Sequence, residues 1–375
     1  MSKRKHYIPI LRWKAAERKA LHQLSHEHKK FITPLIELMM PRPDLYKGDT
    51  KEEKAEKKEK SVEELWRESI SLFKKALTKV SEDILKYWGR DPIFIDVHFV
   101  DPSIRAKSLE ALLEAGKQLD IFMIPVVNLI AVIDLESDKK TLEIAVRHAK
   151  ENDYGLGLRL LRSNLRRNSL PTEIQNFLTM NGLTEKQVDL IVDLDLVDPE
   201  YSSLVDSLKR IPNLTNWRTF TVVSGAFPPD LTNLPVGRHE IERSDWKNWD
   251  DKKHFEKLTR KPSYGDYTIQ HPKYKEPPRV SYPSASIRYT ADGYWVVMRG
   301  QGGPKRKSNQ YLANAQLLKN QPEYSGEKFC FGDAYIAQMA VDLSSTKTGS
   351  PTTWLTAGIN HHLAKVADQL SNLPD

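Results

Sequence analysis

The sequence is poor in the residues and patterns that mark several common protein classes. It contains a single cysteine, Cys330, which excludes an internal disulfide and zinc sites built from thiolates. No stretch approaches the roughly 18 consecutive apolar residues of a membrane-spanning helix. Residues 1–6 lead directly into a strand-like segment and lack the apolar core of a signal peptide. We therefore expect a cytoplasmic protein without a membrane segment.

Charge of one sign does not dominate the chain, although cations are in excess. There are 57 lysine and arginine residues against 50 aspartate and glutamate residues, which gives a net charge of +7. Such an excess permits an anionic partner without requiring one. The segment 47–60 is rich in lysine and glutamate whose charges nearly cancel. This balance predicts a charged, solvent-exposed insertion rather than a basic tail.

The segment 93–101 shows the pattern on which the predicted fold depends. One face of this strand is apolar, and the other carries Asp96 and His98 after Phe94. Such a strand packs against helices on one side and faces a polar interior on the other. Similar segments recur at about the 30-residue spacing of a β/α unit. The expected strands lie at 7–13, 31–38, 93–101, 122–129, 155–161, 188–197, 218–224 and 264–270.

Eight strands separated by helices predict a closed (β/α)8 barrel of the TIM type. An open, doubly wound α/β sheet is the alternative, although no Gly-x-Gly-x-x-Gly follows the first strand to favour a dinucleotide fold. We interpret residues 1–375 as one domain. Within it, 277–352 elaborates the last β/α unit with an antiparallel hairpin, because strand-like segments at 286–289 and 294–299 flank Ala-Asp-Gly.

Polar side chains occupy the positions expected to face inward near the carboxyl end of each strand. In barrels of this type the carboxyl-terminal mouth is where functional sites are built. The sequence therefore predicts a polar site at the mouth. The residues placed there are Arg12, Lys14, Glu37, Asp96, His98, Asn128, Arg159, Asp193, Asp195, Ser224 and Asp266. The alternative is a network of paired ions that serves packing alone, because the acids and bases in this set are well matched.

Two kinds of functional site fit these residues. The first is a hard divalent cation, Mg²⁺ or Mn²⁺, that assists hydrolysis of a phosphate ester or nucleotide. Its predicted ligands are Glu37, Asp96, His98, Asp193 and Asp195, with Arg12, Lys14 and Arg159 holding the phosphate. The second is a pocket that binds an anionic small molecule or a peptide end without chemistry. Its predicted contacts are Arg12, Lys14, Asn128, Arg159, Ser224 and Asp266.

The candidates for catalytic residues are Lys14, Asp266 and His361. His361 belongs to Asn360-His361-His362 in an expected carboxyl-terminal helix. Adjacent helical residues point about 100° apart, so the two histidines do not chelate one ion together. A single histidine joins the mouth in one interpretation; in the other, these residues serve capping or core packing.

A nucleic-acid-binding surface is a further alternative. Aromatic and basic residues alternate between Tyr282 and Arg299, and a glycine-rich basic loop follows at 300–307. Aromatic side chains next to cations can stack bases while binding the phosphate backbone. No recognised nucleic-acid-binding module accompanies this pattern.

Several short motifs resemble those of a known family. They are 7–17 (Tyr-Ile-Pro-Ile-Leu-Arg-Trp-Lys-Ala-Ala-Glu) with Ala20-Leu21, 224–228 (Ser-Gly-Ala-Phe-Pro), 264–267 (Tyr-Gly-Asp-Tyr), 288–290 (Arg-Tyr-Thr), Gly332-Asp333, Trp354 and 360–362 (Asn-His-His). Together, and over nearly the whole chain, they resemble the beta protein family, named from satellite phages. In that family the beta member is encoded beside a killer protein and is thought to restrain it, in a cassette that defends against phages.

The resemblance implies an immunity or antitoxin-like role, with a cognate killer protein as partner, and it supplies no reaction. Our leading hypothesis is a phage-defence or toxin-control protein, of the kind carried by prophages, that acts through a polar mouth pocket and a partner surface. The alternatives are a metal-assisted hydrolase and a nucleic-acid-binding protein.

Overall fold

Eight parallel strands close into a barrel in the computed structural model of the protein, which describes residues 6–47, 59–117, 127–197, 201–273, 283–303 and 309–374. In order around the barrel the strands are β1 (Tyr7–Leu11), β2 (Leu35–Glu37), β3 (Ile93–Asp96), β4 (Leu129–Ile133), β5 (Leu156–Leu161), β6 (Val188–Leu196), β7 (Thr219–Gly225) and β9 (Ser263–Asp266). Strand β9 pairs with both β7 and β1, which closes the sheet. The predicted (β/α)8 barrel is confirmed, and the open doubly wound sheet is wrong.

Helices between the strands form the outer layer. In chain order they are α1 (Ala15–His22), α2 (His26–Lys29), α3 (Val62–Leu77), α4 (Val80–Tyr87), α5 (Pro102–Lys117), α6 (Lys139–Asn152), α7 (Arg162–Leu165), α8 (Leu170–Met180), α9 (Tyr201–Ser207), α10 (Ser244–Asp250), α11 (Lys252–Phe255), α12 (Gln310–Lys319), α13 (Phe331–Met339) and α14 (Pro351–Ser371). Helix α3 begins after Ser61, whose side chain and backbone exchange hydrogen bonds with Glu64. None of the helices in the described part of the chain is both long and apolar enough to cross a bilayer.

Alternation along the strands divides the apolar side chains between two cores. Phe94 and Val132 belong to a core inside the barrel. Ile93 and Ile95 belong to a larger core between the barrel and its helices. Successive strand residues point to opposite faces, so Asp96 faces the barrel interior, as the sequence pattern predicts.

Two strands begin several residues later than the sequence pattern predicts: β2 begins at Leu35 instead of residue 31, and β4 at Leu129 instead of residue 122. Strand β4 covers Leu129–Ile133 and pairs with β3 from Leu129 onward, so the described residues 127 and 128 of the expected strand at 122–129 precede it; residues 121–126 lie outside the described part of the chain. The residues that pair with β3 and β5 are rich in β-branched side chains, which favour strands. As a result, Asn128 precedes the strand and Asp134 follows it.

A second, antiparallel sheet carries the carboxyl-terminal part of the chain. Strands β10 (Ile287–Thr290) and β11 (Tyr294–Arg299) form the predicted hairpin, and β8 (Gly237–Glu242) pairs with the other edge of β11. Strand β8 is not among the strands predicted from the sequence. Helix α14 packs against α1, α13 and β10. The single-domain interpretation stays a prediction, and most of the charged insertion (48–58) and parts of the elaboration (277–282 and 304–308) lie outside the described residues.

Candidate functional site at the barrel mouth

Four charged side chains meet inside the barrel near the carboxyl ends of its strands. Glu37 ends β2 and Asp96 ends β3, and the two residues are opposite one another in the strand register. Arg159 lies on β5 and Asp193 on the neighbouring β6. Because parallel strands around a barrel present alternate residues to the interior, these four side chains converge at one level.

The guanidinium of Arg159 binds all three carboxylates. Its Nη1 donates to Asp96 Oδ2 at 2.6 Å, and its Nη2 donates to Glu37 Oε1 at 2.9 Å. Its Nε and Nη2 both donate to Asp193 Oδ2, at 3.0 and 2.6 Å. The hydroxyl of Tyr267 donates to the same Asp193 oxygen at 2.5 Å. Arg159 is therefore the centre of a shared ion network.

Burial makes this network electrostatically strong. Each of the four charged residues is at most 6 % exposed. Burial raises the pKa of Glu37, and the attraction of Arg159 and Arg12 offsets this only in part. Burial acts to lower the pKa of Arg159, but Asp193 and its other anionic neighbours raise it well above its ordinary value. Arg159 is thus a permanent cation that the carboxylates hold in place.

Arg12 and Lys14 do not form a phosphate site with Arg159. Arg12 Nη2 donates to the carbonyl oxygens of His271 and Pro272 at 2.9 and 2.6 Å. Lys14 is exposed just before α1 and lines a separate groove of about 380 Å³ beside the mouth. The prediction that the three cations hold one phosphate is not supported, because Arg12 and Arg159 bind protein groups and Lys14 does not line the mouth cavity.

A cavity of about 520 Å³ adjoins the Arg159 network, in the size range of small-molecule sites. Six of the residues that the sequence places at the mouth line it together: Glu37, Asp96, His98, Arg159, Asp193 and Asp195. Apolar side chains supply much of the remaining wall: Met39, Phe99, Val132, Ile133, Leu161 and Pro272. The cavity therefore combines a charged floor with an apolar side.

His98 and Asp134 form a hydrogen-bonded pair in the wall of this cavity. His98 Nδ1 lies 3.1 Å from Asp134 Oδ2, and the His98 carbonyl oxygen accepts a hydrogen bond from Arg105 at 2.8 Å. The hydrogen bond with Asp134 raises the pKa of His98, although burial opposes it. The His98 side chain is 45 % exposed, so its ring is accessible from the cavity. A carboxylate that orients an accessible imidazole is an arrangement suited to general acid–base chemistry.

Asp134 is not among the residues predicted at the mouth, because the expected strand at 122–129 starts before β4. A signal was nevertheless present, since the Ile-Asp pair that ends β3 at Asp96 recurs immediately after β4 at Asp134. Tyr267 is missed for a related reason. Asp266 was predicted to face the interior, whereas its neighbour Tyr267 belongs to the core inside the barrel.

The carboxylates predicted as metal ligands are arranged around a guanidinium. Glu37, Asp96 and Asp193 place their oxygens on Arg159, which supplies the positive charge that a divalent cation would bring. Asp195 lies 3.5 Å from Lys273 Nζ instead. A cation among these groups would face a permanent positive charge at short range. The residues at the mouth therefore do not fit the predicted Mg²⁺ or Mn²⁺ site.

Asn128, Ser224 and Asp266 lie away from the mouth, so their prediction as mouth contacts is wrong. Asn128 lines a cavity of about 410 Å³ at the amino-terminal end of the barrel. On β7, Ser224 follows Val223, which belongs to the core inside the barrel; on β9, Asp266 has the same parity as Tyr264, which belongs to the core between the barrel and its helices. Because strand side chains alternate between faces, Ser224 and Asp266 point outward, toward the helical layer.

The chain matches a known protein family over nearly its whole length. The sequence profile of the family described as Beta protein matches residues 7–368. The chain belongs to the Beta protein family. The match begins in β1 and ends in α14, so the barrel and the carboxyl-terminal sheet are both part of what the family shares. No curated protein matches the chain significantly.

In this Beta family protein, several motifs that carry the resemblance meet outside the barrel, beneath α14. Asp266 accepts hydrogen bonds from Tyr7 at 2.5 Å, Tyr264 at 3.0 Å and the Thr268 amide at 2.9 Å. His362 Nε2 lies 2.8 Å from the same carboxylate. Burial acts to raise the pKa of Asp266, but His362 and these hydrogen bonds hold it below its ordinary value. Asp266 is fully buried and holds the helix to the barrel, away from the mouth.

His361 is also fully buried and faces a different carboxylate. Its Nδ1 lies 2.8 Å from Asp333 Oδ2, and its Nε2 lies 2.8 Å from the carbonyl oxygen of Thr290. It does not line the mouth cavity. The interpretation that His361 and His362 pack in the core is therefore correct for this Beta family protein, and a place for His361 at the mouth is wrong.

Two of the aromatic rings in the described part of 282–307 are not available for base stacking. Tyr289 and Trp295 are fully buried. The Arg288 guanidinium lies over the Phe227 ring at 4.7 Å and donates to the Ile269 carbonyl oxygen at 2.8 Å. Tyr282 and residues 304–308 lie outside the described part of the chain. Burial of Tyr289 and Trp295 therefore leaves fewer rings for base stacking than the sequence pattern suggests.

Proposed function

We propose that this Beta family protein binds a small polar molecule in the mouth of its barrel and acts, through that binding, in the control of a killer protein encoded beside it. The observation that carries the proposal is the cavity of about 520 Å³ at the carboxyl ends of the strands, lined by six residues that the sequence assigns to the mouth. Membership of the family supports the toxin-control setting. The role in phage defence and the killer partner come from the family resemblance alone.

The lining favours a ligand without a large net charge. Its anions are the five carboxylates Glu37, Asp96, Asp134, Asp193 and Asp195, and its cations are the four side chains Arg105, Arg159, Arg162 and Lys273. The difference, four minus five, is −1, and protonation of His98 brings it to zero. A neutral or zwitterionic molecule with an apolar part matches this balance and the apolar wall better than a polyanion does.

The test is to fill the cavity without touching the ion network. Ser163 is exposed and lines the cavity, so Ser163→Trp places a large ring across it. Thr179→Trp, at the exposed end of α8, is the matched control. We expect native mass spectrometry to detect a small molecule on the parent and on T179W, and to find it lost from S163W. Cells that co-express the killer protein should grow with the parent or with T179W and should fail to grow with S163W.

Two outcomes would contradict the proposal. One is a parent protein that carries no small molecule and shows no thermal shift with a metabolite library. The other is an S163W variant that folds, fills the cavity and still protects cells as the parent does. Protection by S163W would assign the restraint of the killer to a surface elsewhere.

A second function, acid–base chemistry on the bound molecule, is favoured by the His98–Asp134 pair. Loss of a general acid or base typically slows a reaction about 10²- to 10⁴-fold, so His98→Gln should abolish turnover while ligand binding persists. Asp134→Asn removes the hydrogen bond that raises the pKa of His98, so the pH–rate limb assigned to His98 should move to lower pH. A chelator should leave the rate unchanged. An unaltered pH profile in D134N would remove His98 from the reaction.

A further inference from the structure

Three side chains that coordinate transition metals converge near the start of α13. Cys330 Sγ lies 2.9 Å from Asp333 Oδ2, and His361 Nδ1 lies 2.8 Å from the same oxygen. Cys330 Sγ and His361 Nδ1 are 4.0 Å apart. Among the residues that the structure describes, this is the group of three whose potential ligand atoms all lie within 4.8 Å of one another.

The remaining polar atoms of this group are already held by the protein. His361 Nε2 lies 2.8 Å from the Thr290 carbonyl oxygen and must carry a hydrogen to bond it. The Tyr289 hydroxyl donates to Asp333 Oδ1 at 2.7 Å, and the Tyr289 ring stacks on the His361 ring at 3.7 Å. These contacts leave Nδ1, Oδ2 and Sγ directed at one another. Outer partners of this kind fix the orientation of metal ligands in metalloproteins.

We propose that Cys330, Asp333 and His361 form a transition-metal site, for which Zn²⁺ is the best-fitting ion. In the metal-free state the Cys330 thiol donates to Asp333 Oδ2, and His361 Nδ1 contacts the same oxygen. Metal binding would break the S–H bond and displace any hydrogen on Nδ1, with the protons released to solvent, and would leave a thiolate, a neutral imidazole and a carboxylate on the cation. The two anionic ligands then cancel the 2+ charge, which removes the main cost of burying an ion.

The distances suit this exchange. Zinc bonds of about 2.3 Å to sulfur and about 2.0 to 2.2 Å to nitrogen and oxygen place tetrahedral ligand atoms roughly 3.3 to 3.6 Å apart. Moving from separations of 2.8, 2.9 and 4.0 Å to these values needs shifts of less than 1 Å. A mixed site needs one thiolate only, so the presence of a single cysteine does not exclude it. Three protein ligands leave one position for water or another donor, and Cys330 is the partly exposed member through which it would enter.

The location indicates a structural ion that is separate from the mouth. Cys330 and Asp333 cap and begin α13, whereas His361 lies within α14 and reaches the last residue of β10. A metal ion would therefore bind these two helices together next to the carboxyl-terminal sheet. Its loss should loosen this part of the protein without removing the ligand cavity.

The experiment uses the full chain purified without a polyhistidine tag. We expect metal analysis to find one equivalent of zinc, and a chelator to lower the unfolding temperature, which Zn²⁺ then restores. Addition of Co²⁺ to the chelated protein should produce a thiolate-to-cobalt charge-transfer band. Cys330→Ser should lose this band, whereas His362→Gln, which alters an equally buried neighbouring histidine, should keep it.

Two results would overturn the proposal. One is a folded parent protein that contains no stoichiometric metal and shows no charge-transfer band with excess Co²⁺. The other is a band that persists in C330S, which would place the cobalt at another site. If C330S does not fold, the metal content and the cobalt band of the parent still decide the question. Circular dichroism shows which preparations are folded.

Discussion

Replacing Arg159 by methionine removes the one cation that three buried carboxylates share. Methionine keeps an unbranched side chain of moderate size but leaves Glu37, Asp96 and Asp193 without their main partner. Removing one member of a buried ion pair typically costs about 3 to 5 kcal/mol. We expect R159M to lose at least this much free energy of unfolding at pH 8, because three anions, not one, lose their counter-charge.

The pH dependence of this loss has a definite sign. Burial already raises the pKa of Glu37, and removing Arg159 takes away the main attraction that offsets this, so the folded pKa of Glu37 rises further above its unfolded value. A carboxyl whose folded pKa is raised stabilises the folded protein while it is protonated. That stability is fully present below the unfolded pKa and is lost as the pH rises through the folded pKa. The deficit of R159M should therefore be small near pH 5 and grow toward pH 8, by about 1.4 kcal/mol per pH unit for each proton taken up.

Urea unfolding followed by tryptophan fluorescence at pH 5, 6, 7 and 8 measures this difference. The matched control is Arg147→Met, which breaks a surface pair with Glu110 whose members are 53 % and 46 % exposed. Exposed pairs contribute about 0 to 1 kcal/mol, so R147M should lie close to the parent at every pH. A deficit in R159M as small as that of R147M, or one that does not change with pH, would refute the view that the mouth network is buried and paired.

Two further variants test the polar core outside the barrel. Burial raises the pKa of Asp245 to about 7, so the stability that the protonated carboxyl contributes is lost as the pH rises through 7. In urea, Asp245→Asn should therefore be more stable than the parent at pH 8 and equal to it at pH 4. A difference that does not depend on pH would contradict this. A Cβ on Gly332 would overlap the Ala357 carbonyl oxygen between α13 and α14, so Gly332→Ala should lose about 1 to 3 kcal/mol in thermal unfolding. Ala334→Ser, at an exposed position of the same helix, should change stability by no more than about 0.5 kcal/mol.

The barrel could be predicted because its cause lies in short-range pattern. Parallel strands that are buried on both faces need runs of β-branched and apolar residues, and the connecting helices need apolar residues at helical spacing. Both signals are visible in the sequence without knowledge of contacts. The same alternation placed Asp96, Arg159 and Asp193 correctly in the interior, because each of their strands starts close to where the pattern predicts, although β3 ends at Asp96 rather than at residue 101.

Two of the errors arise because alternation along a strand has a period of two residues. A shift of one position in phase moves a side chain from the interior to the helical layer. This happened at Ser224 and Asp266, where both parities contain plausible interior residues. The error at β4 has a different cause. Pairing with the neighbouring strands begins at Leu129, so Asp134, and not Asn128, lies at the mouth.

The sequence by itself determined the order of strands and helices, the closed barrel and the family, since these depend on local pattern and motifs. Tertiary structure alone decided which charges meet. It placed Arg159 among three carboxylates, which fills the position expected for a divalent cation, and it brought Cys330, Asp333 and His361 together from two helices. Residues far apart in the chain become neighbours only through packing, and the distances between their charged atoms, which govern their chemistry, are not encoded in any one stretch of sequence.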